Sequence, residues 1–464
     1  MDFLDRENEL ALLRDHLDRF GAGLFVLYGR RRIGKTELLR RALAGRSHAA
    51  YHVATRSTPV EELRRLSATL AREWDQPFLA TQALTSSEAL LAFLEGLKGP
   101  HILVFDEFPF LAESDPALPG LLQASWDRSL SKSDLKIVVC GSSVSMMEAT
   151  FLAPRAPLFG RWTGQMRLGP LPVRALAQGF RGPPERIVEI AALFGGTPGY
   201  LQRLDPDRDL VQNLRRHVLA RGEPLYEEIP FLLREEMREP RVYAAILATV
   251  AGGVTKFGEI SSKVGLDRAN LTRYLAVLDA LGLVTREVPV TERRPDKSRK
   301  GLYRIAEPFV ATWFALVHPF RDLLETGEID RAWPRVEERL KRMLPRAVEP
   351  VIRDLVRDTC AHLIPFDVAY AGRHWGAGSE FDAVFLDAER RQAFILEIKW
   401  TEQPVQVGLL DELKRKASLD PALARLERTC AVVSRSGFRG QAPRADRKYL
   451  IPVQELLSAA PGAR

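Results

Sequence analysis

Apolar residues recur along this chain with two periods. Leu24–Tyr28, Ile102–Phe105 and Ile137–Cys140 are unbroken apolar runs of four or five residues, each closed by Gly or an acid. Runs of that kind suit strands buried on both faces of a parallel sheet. A helix from about Lys35 to Ala44 follows the first of them. From residue 240 the period lengthens. Arg241–Ala251 reads as a helix, Phe257 opens a second, and Asp267 can cap a third whose Leu271, Tyr274, Leu275, Leu278 and Leu281 share one face. Gly282 stops that helix and Leu283 begins a strand; three helices and a hairpin describe a winged helix. Residues 303–314 read as a strand end, a Pro308 turn and an amphipathic helix whose Trp313 and Phe314 belong to a core. Ser379–Leu386 alternates as a strand, residues 387–391 turn, and residues 392–400 form its partner.

The first strand runs into Gly29-Arg30-Arg31-Arg32-Ile33-Gly34-Lys35-Thr36-Glu37. Gly, four residues, then Gly-Lys-Thr between a strand and a helix is a phosphate-binding loop. The glycines let backbone N–H groups point at phosphate oxygens, and the helix adds its positive end. Lys35 would reach the β- and γ-phosphates of ATP, and Thr36 would place its hydroxyl on Mg²⁺. A second acidic strand end follows at Asp106-Glu107. Asp106 can hold the Mg²⁺ shell and Glu107 can polarise the attacking water, a pair that favours hydrolysis over storage of the nucleotide. Ser142, after the third run, stands where a γ-phosphate sensor belongs, although a plain turn reads the same. Arg161 could be a charge-stabilising finger, in its own molecule or a neighbour's, or simply a surface arginine.

Together with Phe3-Leu4-Asp5-Arg6-Glu7-Asn8-Glu9, Gly160-Arg161 and Gly195-Gly196-Thr197-Pro198-Gly199, these stretches resemble the archaeal-type ATPase family, a branch of the AAA+-related signal-transduction P-loop ATPases. The resemblance covers residues 1 to about 235. It implies that Pro198 lies on a helical lid against the adenine and that the N-terminal segment flanks the base. It also implies the fold class, α/β: a P-loop parallel sheet with a helical lid, a winged-helix middle domain and a restriction-endonuclease-like C-terminal domain. The expected boundaries are 1–169, 170–238, 239–320 and 321–464, with Pro/Gly-marked joints near 181–184 and 221–230.

Two further constellations bear on nucleic acid. The third helix presents Arg268, Asn270, Thr272 and Arg273 away from its apolar stripe, and the hairpin tip Glu292–Lys300, with Arg293 and Arg294, carries five cations against two acids. These suit phosphates or base edges of DNA; a solvated tip or a protein-docking winged helix would read alike. On the C-terminal hairpin, Glu397 and Lys399 are two apart and share a face, and Asp382 on the preceding strand turns toward it. Two carboxylates can bind Mg²⁺ while a Lys orients or deprotonates water. Asp382, Glu397 and Lys399 resemble the PD-(D/E)xK nuclease core. The third acid best matches Glu349, which Pro350 would set near a helix N-cap. The resulting reading is an ATP-hydrolysing switch that binds DNA and carries a Mg²⁺-dependent nuclease-like site. Its alternative is a regulatory ATPase whose C-terminal domain is inactive and only binds DNA or protein.

Composition leaves this picture standing. At 464 residues, with 46% hydrophobic and 27% charged residues, the chain suits two to four compact soluble units. No apolar run approaches the roughly 18–20 residues of a membrane span, and three acids in the first seven residues are unlike a signal peptide. Cys140, Cys360 and Cys430 lack metal-ligand spacing and fit a reducing cytoplasm. The net charge of +7 permits a nucleic-acid partner.

Overall fold

The computed structural model describes residues 5–376 and 378–458, so Phe3 and Leu4 of the N-terminal motif fall outside the described residues. The chain divides into two compact units. One ends at Pro170 and takes in Thr197–Gly199; the other comprises Leu171–Gly196 and continues from Tyr200.

In the first unit, β1 (Gly23–Tyr28), β2 (Ala49–Val53), β3 (His101–Asp106), β4 (Leu135–Gly141) and β5 (Gly164–Arg167) form one sheet in the order β2-β3-β4-β1-β5. Every pairing is parallel. The unbroken apolar runs form the inner strands because both of their faces are covered. Leu24, Val26, Phe105 and Val139 belong to one buried cluster, whereas Phe25, Leu27, Val104 and Val138 belong to another. Alternate residues therefore serve opposite faces, and the carboxyl ends of β1, β3 and β4 gather on one edge, where parallel sheets bind ligands.

In the second unit, helices Pro240–Ala251, Phe257–Val264 and Arg268–Ala280 precede the antiparallel pair β6 (Val284–Glu287) and β7 (Leu302–Ile305). Asp267 caps the third helix by accepting from the Asn270 N–H at 2.8 Å, and all five residues of its apolar stripe are buried. Trp313 and Phe314 are likewise core, each 3% exposed. A second five-stranded sheet contains β8 (Tyr370–Gly376), β9 (Ser379–Leu386), β10 (Gln392–Lys399), β12 (Glu427–Ser434) and β14 (Leu450–Pro452), ordered β14-β12-β10-β9-β8. Short β11 (Val405–Gln406) and β13 (Phe438–Arg439) pair separately. β10 runs antiparallel to β9 and parallel to β12, and the crossover helix Leu409–Leu419 lies between them in sequence. Val348, Ile352 and Leu355 cover one face of this sheet, while Leu410, Leu413 and Ala417 cover the other.

Two expectations need correction. Glu349 is not near an N-cap. It lies inside the 31-residue helix Ile329–Thr359, which runs through Pro334, Pro345 and Pro350. Proline normally favours a helix start. Here the buried face of Ala332, Val336, Leu340, Val348 and Ile352 holds the helix together across the missing N–H donors. The joint near 221–230 is also shorter than expected, because helix Pro224–Glu236 begins at Pro224 and continues through Pro230.

Candidate functional sites

The phosphate-binding loop closes on itself. Lys35 Nζ donates to the Gly29 and Arg30 carbonyls at 2.7 and 3.0 Å. Gly29, Arg32 and Gly34 have positive φ, and a Cβ on Gly29 would stand 2.4 Å from the Leu168 carbonyl oxygen. Only glycine fits at Gly29, and the tight turn follows from that. Ile33 is buried, while Glu37 faces outward and pairs with Arg41 at 2.8 Å. The Gly199 N–H donates to the Arg32 carbonyl at 3.0 Å, and Pro198 would touch a Cβ placed on Gly34. Arg6, 5% exposed, reaches the carbonyls of Gly169 and Ile33 at 2.5 and 3.4 Å.

Beside the loop, Thr36 Oγ1 donates to Asp106 Oδ2 at 2.9 Å, and the Tyr51 hydroxyl donates to the same oxygen. Burial, then the Asp106 charge, raises the Tyr51 pKa, so its phenol stays protonated and donating. Glu107 adopts left-handed backbone geometry, φ 56°, which turns its carboxylate off the strand. Glu107 Oε2 accepts from Ser142 N at 3.1 Å and Ser142 Oγ at 2.8 Å. Ser142 thus holds the carboxylate at the carboxyl edge of the sheet. Arg161 donates to both Asp127 oxygens at 2.9–3.1 Å and to the Phe159 carbonyl, so its guanidinium is engaged on the surface of the unit. Tyr51 was not legible in the sequence: a tyrosine on a short strand carries no local sign that its hydroxyl meets an acid from another strand.

The second site assembles on β9, β10 and the long helix. With Ala383 opposite Leu396, the ladder ends by setting Asp382 beside Glu397, and Asp382 Oδ2 accepts from the Ile398 N–H at 2.7 Å. Lys399 Nζ donates to Glu397 Oε1 at 2.6 Å. Glu397 Oε2 is buried without a hydrogen bond, the ammonium of Lys416 standing 3.8 Å away. Glu349 meets Arg373 Nε at 3.4 Å. Burial, then the Asp382 charge, pushes Glu349 up to about 7. Burial, then Glu397, raises Asp382. Burial opposes the Lys399 ammonium, yet its Glu397 hydrogen bond and the surrounding carboxylates hold its pKa above the ordinary value. Three acids and two lysines therefore converge, and one carboxylate oxygen lacks a hydrogen-bond donor, as a cation ligand would. Among the described residues no set of three His, Cys, Asp or Glu is arranged as a complete metal site. Arg373 and Lys416 come from β8 and the crossover helix, too far along the chain for spacing to reveal them.

Of the residues expected to meet DNA, Arg268, Asn270, Arg273, Arg293 and Arg294 are all exposed. Arg268 lies over the Phe257 ring at 5.7 Å, Asn270 donates to Asp267 at 2.8 Å, and Arg273 donates to the Tyr274 hydroxyl at 3.3 Å. Before the tip, the connection from β6 is anchored: Val290 N donates to the Arg373 carbonyl at 2.9 Å and Arg390 to the Val290 carbonyl at 3.0 Å.

Residues 3–204 match the model of an ATPase domain found predominantly in Archaea, and residues 313–415 match archaeal and bacterial proteins of unknown function. The uncharacterized protein MJECL04 of Methanocaldococcus jannaschii is 31% identical over 403 residues, 86% of this chain and 88% of that protein. The Walker-type ATPase PABY2304 of Pyrococcus abyssi shares the fold at TM-score 0.50 and 25% identity, over 68% of this chain and 96% of that one. The ORC2 protein of Aeropyrum pernix, solved as ADPNP-ADP complexes, aligns at TM-score 0.43 and 16% identity, over 69% of this chain and 94% of that one.

Proposed function

The chain belongs to the family of ATPases found predominantly in Archaea, and from that premise we propose that its second unit binds DNA and carries a Mg²⁺-dependent, nuclease-like site governed by ATP hydrolysis. One observation carries the proposal: Asp382, Glu397 and Lys399 converge at the end of the β9–β10 ladder with Glu349 from the long helix. Two strands and a distant helix bring these acids together in a half-buried place, where clustered carboxylates with raised pKa mark a functional site.

In the ATPase unit, Gly29–Gly34 and Lys35 hold the phosphates, and Pro198 and Arg6 bound the loop from the side where the base would lie. Thr36 and Asp106 would hold Mg²⁺, which neutralises charge on the β- and γ-phosphates when bound. Ser142 positions Glu107, which takes a proton from the attacking water. In the second unit, Asp382 and the free oxygen of Glu397 would hold Mg²⁺ against a DNA phosphate, the ion making the phosphorus more electrophilic. Lys399 would orient the water, and Glu349, whose carboxyl feels the Asp382 charge, is the third acid of the cluster. Arg268, Asn270, Arg273, Arg293 and Arg294 supply cationic and polar contacts for the duplex.

The engaged state of Lys399, bonded to Glu397, favours a second reading in which the C-terminal domain binds DNA or protein without cutting. The two separate in one experiment. Supercoiled, branched and single-stranded DNA are incubated with Mg²⁺ or Mn²⁺, with and without ATP, beside Lys35→Ala and Glu397→Ala. The nuclease reading expects metal-dependent nicking that Glu397→Ala abolishes while ATPase activity persists. No cleavage on any substrate, with salt-sensitive DNA binding retained, would leave the binding module.

A further inference from the structure

The second unit contains a cavity of about 300 Å³, bounded by the helix Pro184–Phe194, the β7 end and the long helix. It lies next to the carboxylate cluster, whose Glu349 feels the charge of the lining Arg346. Arg304, Arg346 and Arg353 line it, with Asp354 the one acid in its wall. Arg346 and Arg353 are seven residues apart, so they project from one helix face about 10 Å apart along the axis. Arg304 is already paired with Glu287. Arg353 is different: its side chain is only 15% exposed, its one ion pair is a loose 3.8 Å approach to Asp354, and it makes no hydrogen bond among the described residues. Arg346 also makes none among them. Burial, and the neighbouring Arg304, hold the Arg353 guanidinium below its ordinary pKa. No nitrogen of Arg353 or Arg346 is among the sealed, unbonded side-chain atoms of the described residues, so their donors are open to a ligand. The opposite wall is apolar, formed by Leu171, Leu176, Ala191 and Ala192.

We propose that this cavity binds a phosphate monoester with an apolar body, gripped by Arg346 and Arg353 with Arg304 beside them. Two guanidinium forks offer more donors than one carboxylate can accept, and they match the three terminal oxygens and double charge of a phosphate monoester. The aliphatic wall receives the organic part. The phosphate can belong to a free small molecule or to the 5′ end of a nucleic acid, and the chemistry at the arginines is the same.

The test uses the full chain and phenyl phosphate as probe, read by calorimetric titration and by thermal unfolding. Wild type and Lys35→Ala should bind it alike, because the cavity is independent of the phosphate-binding loop. Arg346→Gln and Arg353→Met should each weaken binding at least tenfold. Arg353→Met should also melt higher than wild type in the absence of ligand, a gain that a purely structural arginine would not give. Affinity unchanged in both arginine variants, loss of binding in Lys35→Ala, or no binding at millimolar phenyl phosphate would each overturn the proposal. Displacement of bound phenyl phosphate by a 5′-phosphorylated oligonucleotide, but not by its unphosphorylated twin, identifies the nucleic-acid source; failure of both to displace it identifies a small-molecule source.

Discussion

At Glu349, the fold decides the charge. The folded chain keeps this carboxyl protonated up to about pH 7, against an ordinary value of 4.5. Between those two values the unfolded chain has lost a proton that the folded chain still holds, so stability falls as pH rises through the window, and the loss is complete above it. At ~1.4 kcal/mol per unit this is of order 3 kcal/mol. Glu349→Gln should therefore raise the urea midpoint of the second unit at pH 8 and leave it nearly unchanged at pH 4.5. An equal shift at both pH values would mean that burial, rather than ionisation, sets the cost. In the other unit, Ser142 holds Glu107 through two hydrogen bonds. Glu107→Gln should keep ATP-analogue affinity and lower the rate of phosphate release by roughly 100-fold or more, the usual worth of a positioned general base. Ser142→Ala should lower the same rate by less, because it removes only the hydroxyl bond and the backbone N–H at 142 still holds the carboxylate.

Among the elements, the third helix of the three-helix segment and the long helix behave differently toward their signals. Asp267 stands at the N-cap that its residue type and position predict, accepting from the Asn270 N–H. Asp267→Ala should lower the stability of that segment, seen as an earlier thermal transition, because the Asn270 N–H loses its acceptor. In the long helix, prolines that signal a helix start in a local reading sit in its interior, and the helix begins well before them, at Ile329. The difference lies in what covers each helix. A cap is satisfied by atoms within one turn, so its sequence is enough. A proline is tolerated only where distant apolar residues hold the helix across it, and around Pro350 those belong to the sheet of β9, β10 and β12.

For the molecule as a whole, the expected three-helix and C-terminal segments fall within one compact unit, together with the expected lid apart from Pro170 and Thr197–Gly199, which belong to the other. Helix Pro184–Phe194 carries Glu189, 9% exposed, which accepts from Trp400 Nε1 at 3.0 Å and Arg435 Nε at 3.2 Å. That helix is therefore fastened beside the C-terminal sheet, and Glu189→Ala should lower the melting temperature of the second unit while leaving that of the first unchanged. The proposed DNA contact belongs to this scale as well. Replacing Arg293 and Arg294 by Ala should weaken DNA binding evenly across sequences and reduce the salt dependence of log K by roughly 2, about 0.9 for each phosphate that an arginine no longer neutralises. An unchanged slope would remove the hairpin tip from the interface.

The sequence by itself determined the parallel sheet and its phosphate-binding loop, because unbroken apolar runs and Gly-x4-Gly-Lys-Thr are read within a few residues. It also determined the two-residue spacing that puts Glu397 and Lys399 on one face of a strand. The tertiary structure alone decided that Tyr51 meets Asp106, that Ser142 holds Glu107, and that Arg373 and Lys416 join the carboxylates. It alone buried Glu349 deeply enough to move its pKa. Each of these depends on elements separated by tens of residues, and no local period or propensity carries the distance between them. The same separation set Arg346 and Arg353 beside Arg304 in one cavity, an arrangement with no motif in the chain.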